Sequence, residues 1–222
     1  MKPVFIAMLS LILGAGLIHA QGKSSLKTQK DKISYIIGLR YGSGLKRQDI
    51  EIDYKSFEKG IRDGLKGGRK LLTKAEIQTV AEQFQRDMRN KAVSKNQREA
   101  KAFLAKNRRR KGVRTTASGL QYQVIRRGTG KSPKATDKVR THYRGTLLDG
   151  KVFDSSYRRK RPASFPVNGV IRGWTEALQL MKVGAKWKLW LPAKLGYGQR
   201  GTGRMIGPGA MLIFELELLA IE

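Results

Sequence analysis

From Thr73 to Arg110 the chain contains neither proline nor glycine. Thr73 and Glu76 open that stretch with T-x-x-E spacing, a capping box in which side chains and backbone at a helix start satisfy one another. Roughly 37 residues without a breaker can form one helix about 55 Å long, at about 1.5 Å per residue. Ile77, Val80, Ala81, Phe84 and Met88 make an apolar stripe along its first half. Its second half, Asn90 to Arg110, is polar apart from Val93, Phe103 and Leu104. A helix without a wide apolar face projects through solvent or pairs with something.

Before this rod, Asp53 is placed to cap a helix from Tyr54 to Leu65, with Phe57, Ile61 and Leu65 on one face and Gly67-Gly68 ending it. Further upstream Ile33, Ile36, Ile37, Leu39 and Leu45 recur at roughly helical spacing, interrupted by Gly38, Gly42 and Gly44. A glycine inside a helix costs about 1 kcal/mol against alanine. Close backbone contact with another helix explains that cost; a weak helix is the alternative. Residues 21–33 are polar and Lys-rich and read as a mobile N-terminus. Two short helices and half an apolar rod are little core for one chain. Two chains are therefore expected to share it, as a homodimer with long helical arms.

The first twenty residues run from Lys2 through an apolar stretch, Val4 to Ile18, to small or polar residues at Ala20 and Gln21. That is the pattern of a secretory signal peptide. The run is short for a membrane span, which needs about 20 apolar residues. An uncleaved membrane anchor is the alternative; Ile18, third before the cut, is not the small residue preferred there, which leaves the exact cleavage site open. There is no cysteine, which excludes disulfides, thiolate metal sites, cysteine nucleophiles and a lipoprotein anchor. Two histidines, His19 and His142, leave little for a metal site or a Ser–His triad; no metal and no cofactor are expected. The 46 Lys+Arg against 17 Asp+Glu give a net charge of +29. Such an excess favours an anionic partner. It is shared almost equally between residues 21–111 and 112–222, so it is not a basic tail.

After Gly112 the period changes to two. Leu120, Tyr122 and Val124 alternate, Gly128-Thr-Gly130 turns, and Val139, Thr141 and Tyr143 follow. Leu148-Asp149-Gly150 between apolar runs is a hairpin signal. A short helix fits Thr175 to Met181, and further strands fit Lys186 to Leu191 and Met211 to Leu219. The fold class is α+β. The chain is expected to divide into 1–20, a signal peptide; 21–72, a helical dimerisation region; 73–111, a long connecting helix; and 112–222, an antiparallel sheet domain.

Four blocks within the last segment carry a resemblance. They are Tyr143-Arg-Gly-Thr-Leu-Leu-Asp-Gly-Lys-Val-Phe153-Asp154-Ser-Ser, Val170-Ile171-Arg-Gly-Trp174, Pro192-Ala-Lys-Leu-Gly-Tyr197-Gly, and Leu212-Ile-Phe214-Glu-Leu-Glu-Leu. In this order and spacing they resemble the FKBP-type peptidyl-prolyl cis–trans isomerases. The bridge Ser118-Gly-Leu-Gln-Tyr122 and the helical N-terminal half are similar to the Mip-like bacterial branch. The resemblance implies an FKBP-like antiparallel sheet wrapped around a short α-helix, preceded by an all-helical dimerisation domain. It also implies export to the periplasm or the outer-membrane surface of a Gram-negative-type bacterium, prolyl-isomerase (rotamase) activity on unfolded or proline-containing polypeptides, and inhibition by FK506-type macrolides. Two pockets in a dimer are expected to hold one unfolded client between them, giving chaperone action by multivalency.

The reaction itself needs neither metal nor covalent intermediate. Rotation about an X–Pro bond loses amide resonance at a barrier of about 18–20 kcal/mol. A site need only bind the twisted amide better than the planar one. The resemblance assigns Trp174 the floor under the prolyl ring and Tyr143, Phe153, Val170, Ile171 and Phe214 the walls. Tyr197 would donate its hydroxyl to one substrate carbonyl, and the Ile171 N–H would donate to another. Asp154 would face the rotating carbonyl, held by Tyr143 or Arg159, and Ile206 would belong to the loop over the pocket. Ala163 and Thr202 replace the Phe and His of the best-known single-domain members, so substrate preference and macrolide affinity stay open. Arg200, Arg204 and Arg158-Arg-Lys-Arg161 are expected around the mouth, favouring substrates with acidic residues near the proline. The alternative function is a basic module that binds lipopolysaccharide, anionic lipid or matrix, with isomerisation secondary. Nucleic acid is disfavoured, because Arg108-Arg-Arg-Lys111 lacks interleaved aromatics.

Overall fold

The computed structural model describes residues 26–67 and 70–222. The expected signal peptide at 1–20 lies outside them, as does Gly68. The chain parts into two compact units between Leu71 and Leu72.

The first unit is helical. Helix α1 spans Gln29–Arg47, starting within the stretch expected to be mobile. Thr28 and Asp31 form a capping box there: each backbone N–H is taken by the other's side chain, at 2.9 and 3.1 Å. Two orphan donors are thereby satisfied one turn ahead of the first isoleucine. At its other end Asp49 takes a left-handed conformation, φ 53°, and the Ile50 N–H reaches Leu45 O at 3.0 Å. This is a Schellman closure with Asp where Gly is usual. Helix α2 spans Tyr54–Lys66, capped as expected by Asp53, whose carboxylate accepts from the Ser56 N–H at 2.8 Å. Neither helix has a buried residue. Ile33, Ile36, Leu39, Tyr41, Tyr54 and Leu65 are all exposed.

The second unit begins with the rod. Helix α3 runs Lys74–Asn107, with the Thr73/Glu76 capping box formed at 2.8 and 3.2 Å. It ends three residues before Arg110. The strands are β1 (Val113–Thr115), β2 (Gln121–Arg126), β3 (Lys138–Thr146), β4 (Val152–Ser155), β5 (Ala163–Pro166), β6 (Lys186–Leu191) and β7 (Leu212–Ile221), with α4 (Arg172–Leu180) between β5 and β6. They form one antiparallel sheet in the order β1-β2-β6-β7-β3-β4, with β5 also on β3. The expected Asp149-Gly150 hairpin joins β3 to β4, closed by Leu147 N–H to Lys151 O at 2.9 Å. Helix α4 starts three residues earlier than the pattern suggested, which puts Trp174 in its first turn.

The core lies between α4 and one sheet face. On β3 the inward residues are Val139, Thr141, Tyr143 and Gly145; on β7 they are Leu212, Phe214, Leu216 and Leu218. This is the period of two made physical. Alternation fails on β6, where Trp190 is buried along with Leu189 and Leu191. The cause is α3. Its second half is not a free arm: Ala100, Phe103 and Leu104 pack on Trp190, Met211 and Ile213. Asn107, 2% exposed, donates to Gln121 Oε1 at 2.9 Å, and Gln121 donates to Leu104 O at 3.0 Å. The polar rod therefore pairs with the outer face of its own sheet.

Candidate active site

Trp174 sits at the centre of an aromatic cluster. It meets Tyr143, Phe214 and Phe165 edge-on, with centroids 5.0, 5.2 and 5.8 Å away. Phe153 stands edge-on to Phe214 at 5.5 Å. Such pairs put the positive edge of one ring on the negative face of the next, worth about 0.5–1.5 kcal/mol each beyond burial. Gly145 makes this possible. A Cβ there would stand 2.5 Å from Phe153 Cζ and 2.8 Å from Phe214 Cε1, so only glycine lets both rings lie across β3. Trp174 is 4% exposed, and its Nε1 has no hydrogen-bond partner among the described residues. Val170 and Ile171 pack partly buried against the hydrophobic core that contains these rings, and Ile206 is a buried member of that core.

One edge of the cluster is charged. The Tyr143 hydroxyl donates to Asp154 Oδ2, and Arg159 Nη1 pairs with Asp154 Oδ1. Arg159 Nη2 donates to the Tyr143 oxygen at 2.7 Å, and the Ser155 N–H donates to Asp154 Oδ1 at 2.7 Å. Tyr143 and Arg159 both hold Asp154, where either alone was expected. Burial works to raise the Asp154 pKa. The hydrogen bonds from Tyr143, Arg159 and Ser155, with the guanidinium charge, outweigh it and hold the carboxyl below its ordinary 3.8. Burial, then the bond to Asp154, raises Tyr143 above 10.0. At neutral pH the array is carboxylate, phenol and guanidinium. Behind it Ser156, fully buried, accepts from the Tyr143 N–H at 2.7 Å and fixes the strand that carries the phenol.

The structure therefore brings Tyr143, Phe153, Asp154, Arg159, Trp174 and Phe214 into one set of direct contacts and packs Val170, Ile171 and Ile206 on the same core. Tyr197 is not among these contacts. It is 40% exposed, and its hydroxyl has no partner among the described residues. Ile171 is the N-cap of α4, where a backbone N–H has no intrahelical acceptor and is free for a ligand. Phe165 was missed by the sequence reading. Its only signal is that it lies two residues beyond Ala163 on β5, on the same face. No cluster of three or more His, Cys, Asp or Glu able to hold a metal occurs among the described residues.

Residues 129–219 match the family described as FKBP-type peptidyl-prolyl cis-trans isomerase, and residues 30–124 match the domain found amino-terminal to it. The chain belongs to the FKBP-type peptidyl-prolyl cis–trans isomerases. Among its relatives, "Outer membrane protein MIP" of Legionella longbeachae is 41% identical, over 100% of this chain and 98% of that protein. "Peptidyl-prolyl cis-trans isomerase Mip" of Coxiella burnetii is 39% identical over 100% and 99%. The crystal structure of FkpA from Escherichia coli superposes with a TM-score of 0.66 at 35% identity, covering 89% of this chain and 99% of that one. These matches span both halves, so the Mip-like architecture of helical region followed by FKBP sheet is shared. None of them supports the surface-binding alternative.

Proposed function

We propose that this isomerase acts outside the cytoplasm as a homodimer, catalysing X–Pro rotation in the aromatic cluster around Trp174. The observation that carries the site is the Tyr143–Asp154–Arg159 array at the edge of that cluster. Trp174 receives the prolyl ring, with Tyr143, Phe153, Val170, Ile171, Ile206 and Phe214 around it. Tyr197 and the Ile171 N–H hold the flanking carbonyls. As the amide twists it loses resonance, and its oxygen sheds negative charge. An ionised Asp154 facing that oxygen repels the planar form more than the twisted one, which is differential binding in the useful direction. An apolar surround strengthens the effect by excluding water.

Dimerisation is supported by α1 and α2, neither of which has a buried residue. Gly38, Gly42 and Gly44 support it too: a Cβ on any of them meets nothing within 4 Å, so α1 keeps an open face for a close neighbour. Ile77, Val80 and Phe84 on α3 are exposed as well. A pair of isomerase domains gives clients two points of attachment, and with them chaperone action. Export is supported by the first twenty residues and by the printed name of the Legionella relative. Boundaries at 1–20, 21–72, 73–111 and 112–222 go with this reading.

A prolyl-peptide turnover assay with and without an FK506-type macrolide tests the site. Turnover abolished by the macrolide and reduced in Asp154→Leu and Tyr197→Phe is expected. Variants as fast as wild type refute these roles. N-terminal sequencing from envelope fractions should find Gln21 first; an intact Met1 in the cytosol contradicts export.

A further inference from the structure

Helix α3 touches the loop that leads into β7, at Pro208 and Gly209. Asn96, half-buried on α3, donates from Nδ2 to the Pro208 carbonyl at 2.8 Å. One turn earlier Val93 lies against Gly209. A Cβ on Gly209 would stand 3.1 Å from Val93 Cα and 3.2 Å from its carbonyl oxygen, and Gly209 has φ +72°. The Gly209 N–H donates to Gly198 O at 3.0 Å, closing the base of a loop. Inside that loop Thr202 and Ile206 pair through their backbones, at 2.8 and 3.3 Å. Ile206 puts its side chain into the core cluster with Trp174, Tyr143 and Phe214, whereas 202–205 are exposed.

We propose that Asn96 is a positioning residue for the isomerase: through Pro208 it holds the loop that carries Ile206 over the proline pocket. This rests on the pocket reading above. The loop contains Gly198, Gly201, Gly203, Gly207 and Gly209. Few side chains tie it down, so its local opening is cheap. Apparent affinity scales with the closed fraction, and one net hydrogen bond shifts a closing equilibrium about fivefold. The connecting helix is in this sense part of the enzyme as well as a spacer. Because α3 also seats on Trp190 and Met211, losing one polar contact leaves the rod in place.

The test uses the full chain as wild type, Asn96→Ala, Asn96→Gln and Ile206→Ala, reading KM and kcat for a prolyl peptide, amide exchange at Thr202 and Ile206, and Tm. Asn96→Ala should raise KM about threefold, with a smaller change in kcat, and speed exchange at both amides. Asn96→Gln, which keeps the amide donor, should restore both. Ile206→Ala should raise KM at least as much. If Ile206→Ala raises KM while Asn96→Ala leaves KM and exchange at wild-type values, the positioning role is overturned and the pocket stands, whatever happens to Tm. If Ile206→Ala leaves KM unchanged, Ile206 is not in the pocket and both fall.

Discussion

Replacing Gly145 with alanine puts a methyl group where two rings already lie. The new carbon would stand 2.5 and 2.6 Å from Phe153 Cζ and Cε2, and 2.8 Å from Phe214 Cε1. Real carbons do not approach so closely, so one ring must leave its place or β3 must bend. Overpacking of this kind costs about 1–3 kcal/mol. Loss of the edge-to-face contact between Phe153 and Phe214 adds about 0.5–1.5 kcal/mol. A total near 2–4 kcal/mol lowers the Tm of a unit this size by roughly 5–12 °C. Activity should suffer as well, because both rings wall the pocket in the proposed site. A peptide assay run well below the variant's Tm should show kcat/KM down by about tenfold or more, roughly 1.4 kcal/mol in the barrier. Differential scanning calorimetry and the peptide assay on one preparation separate the two effects. A Gly145→Ala protein with wild-type Tm and wild-type kcat/KM would mean that neither ring crosses the strand at this position.

The Asp154 array sets a pH window. Its lowered carboxyl pKa contributes stability in full above the ordinary carboxylate range, lost as pH falls through the folded value. The raised Tyr143 contributes below about pH 10, lost as pH rises through its folded value. kcat/KM and Tm should therefore be flat from about pH 5 to 9, and Arg159→Met should move the acid limb to higher pH; an unmoved limb contradicts the pairing. Arg158, Lys160, Arg161, Arg200 and Arg204 have no acidic partner among the described residues. Peptides with Glu before proline should accordingly outpace those with Lys at low salt and converge near 1 M, where screening is within about 3 Å; equal kcat/KM at low salt sinks this. Gly38→Leu with Gly42→Leu should give a monomer by sedimentation while small-peptide turnover stays within about twofold, and a dimer that survives both changes argues against the α1 face.

Breakers and caps were the legible part of the fold. Thr73, Glu76 and Asp53 fixed two helix starts because their hydrogen bonds are local in sequence. Thr28 and Asp31 obey the same rule, yet were passed over because the first apolar residue of α1, Ile33, lies four residues beyond the first helical one. The contact between α3 and the sheet was hidden for another reason. Its face is made of Val93, Asn96, Ala100, Phe103, Leu104 and Asn107; the two asparagines interrupt the apolar pattern, although both are bonded to the sheet domain. The aromatic cluster was legible only jointly, through four blocks in a fixed order. Phe165 belongs to none of them, and no local pattern says that β5 will lay it against Trp174.

In the proposed site X–Pro rotation happens against Trp174, beside the Asp154 array. NMR exchange spectroscopy on a Leu-Pro peptide reads that rotation directly, without a coupled protease. With wild-type protein, cis–trans cross-peaks should appear within seconds, where the uncatalysed bond takes tens to hundreds of seconds. A Trp174→Leu, Asp154→Leu double variant that keeps a cooperative melt should leave the peptide at its uncatalysed rate. Wild-type exchange from that folded double variant would put the chemistry elsewhere on the molecule, away from Trp174 and Asp154.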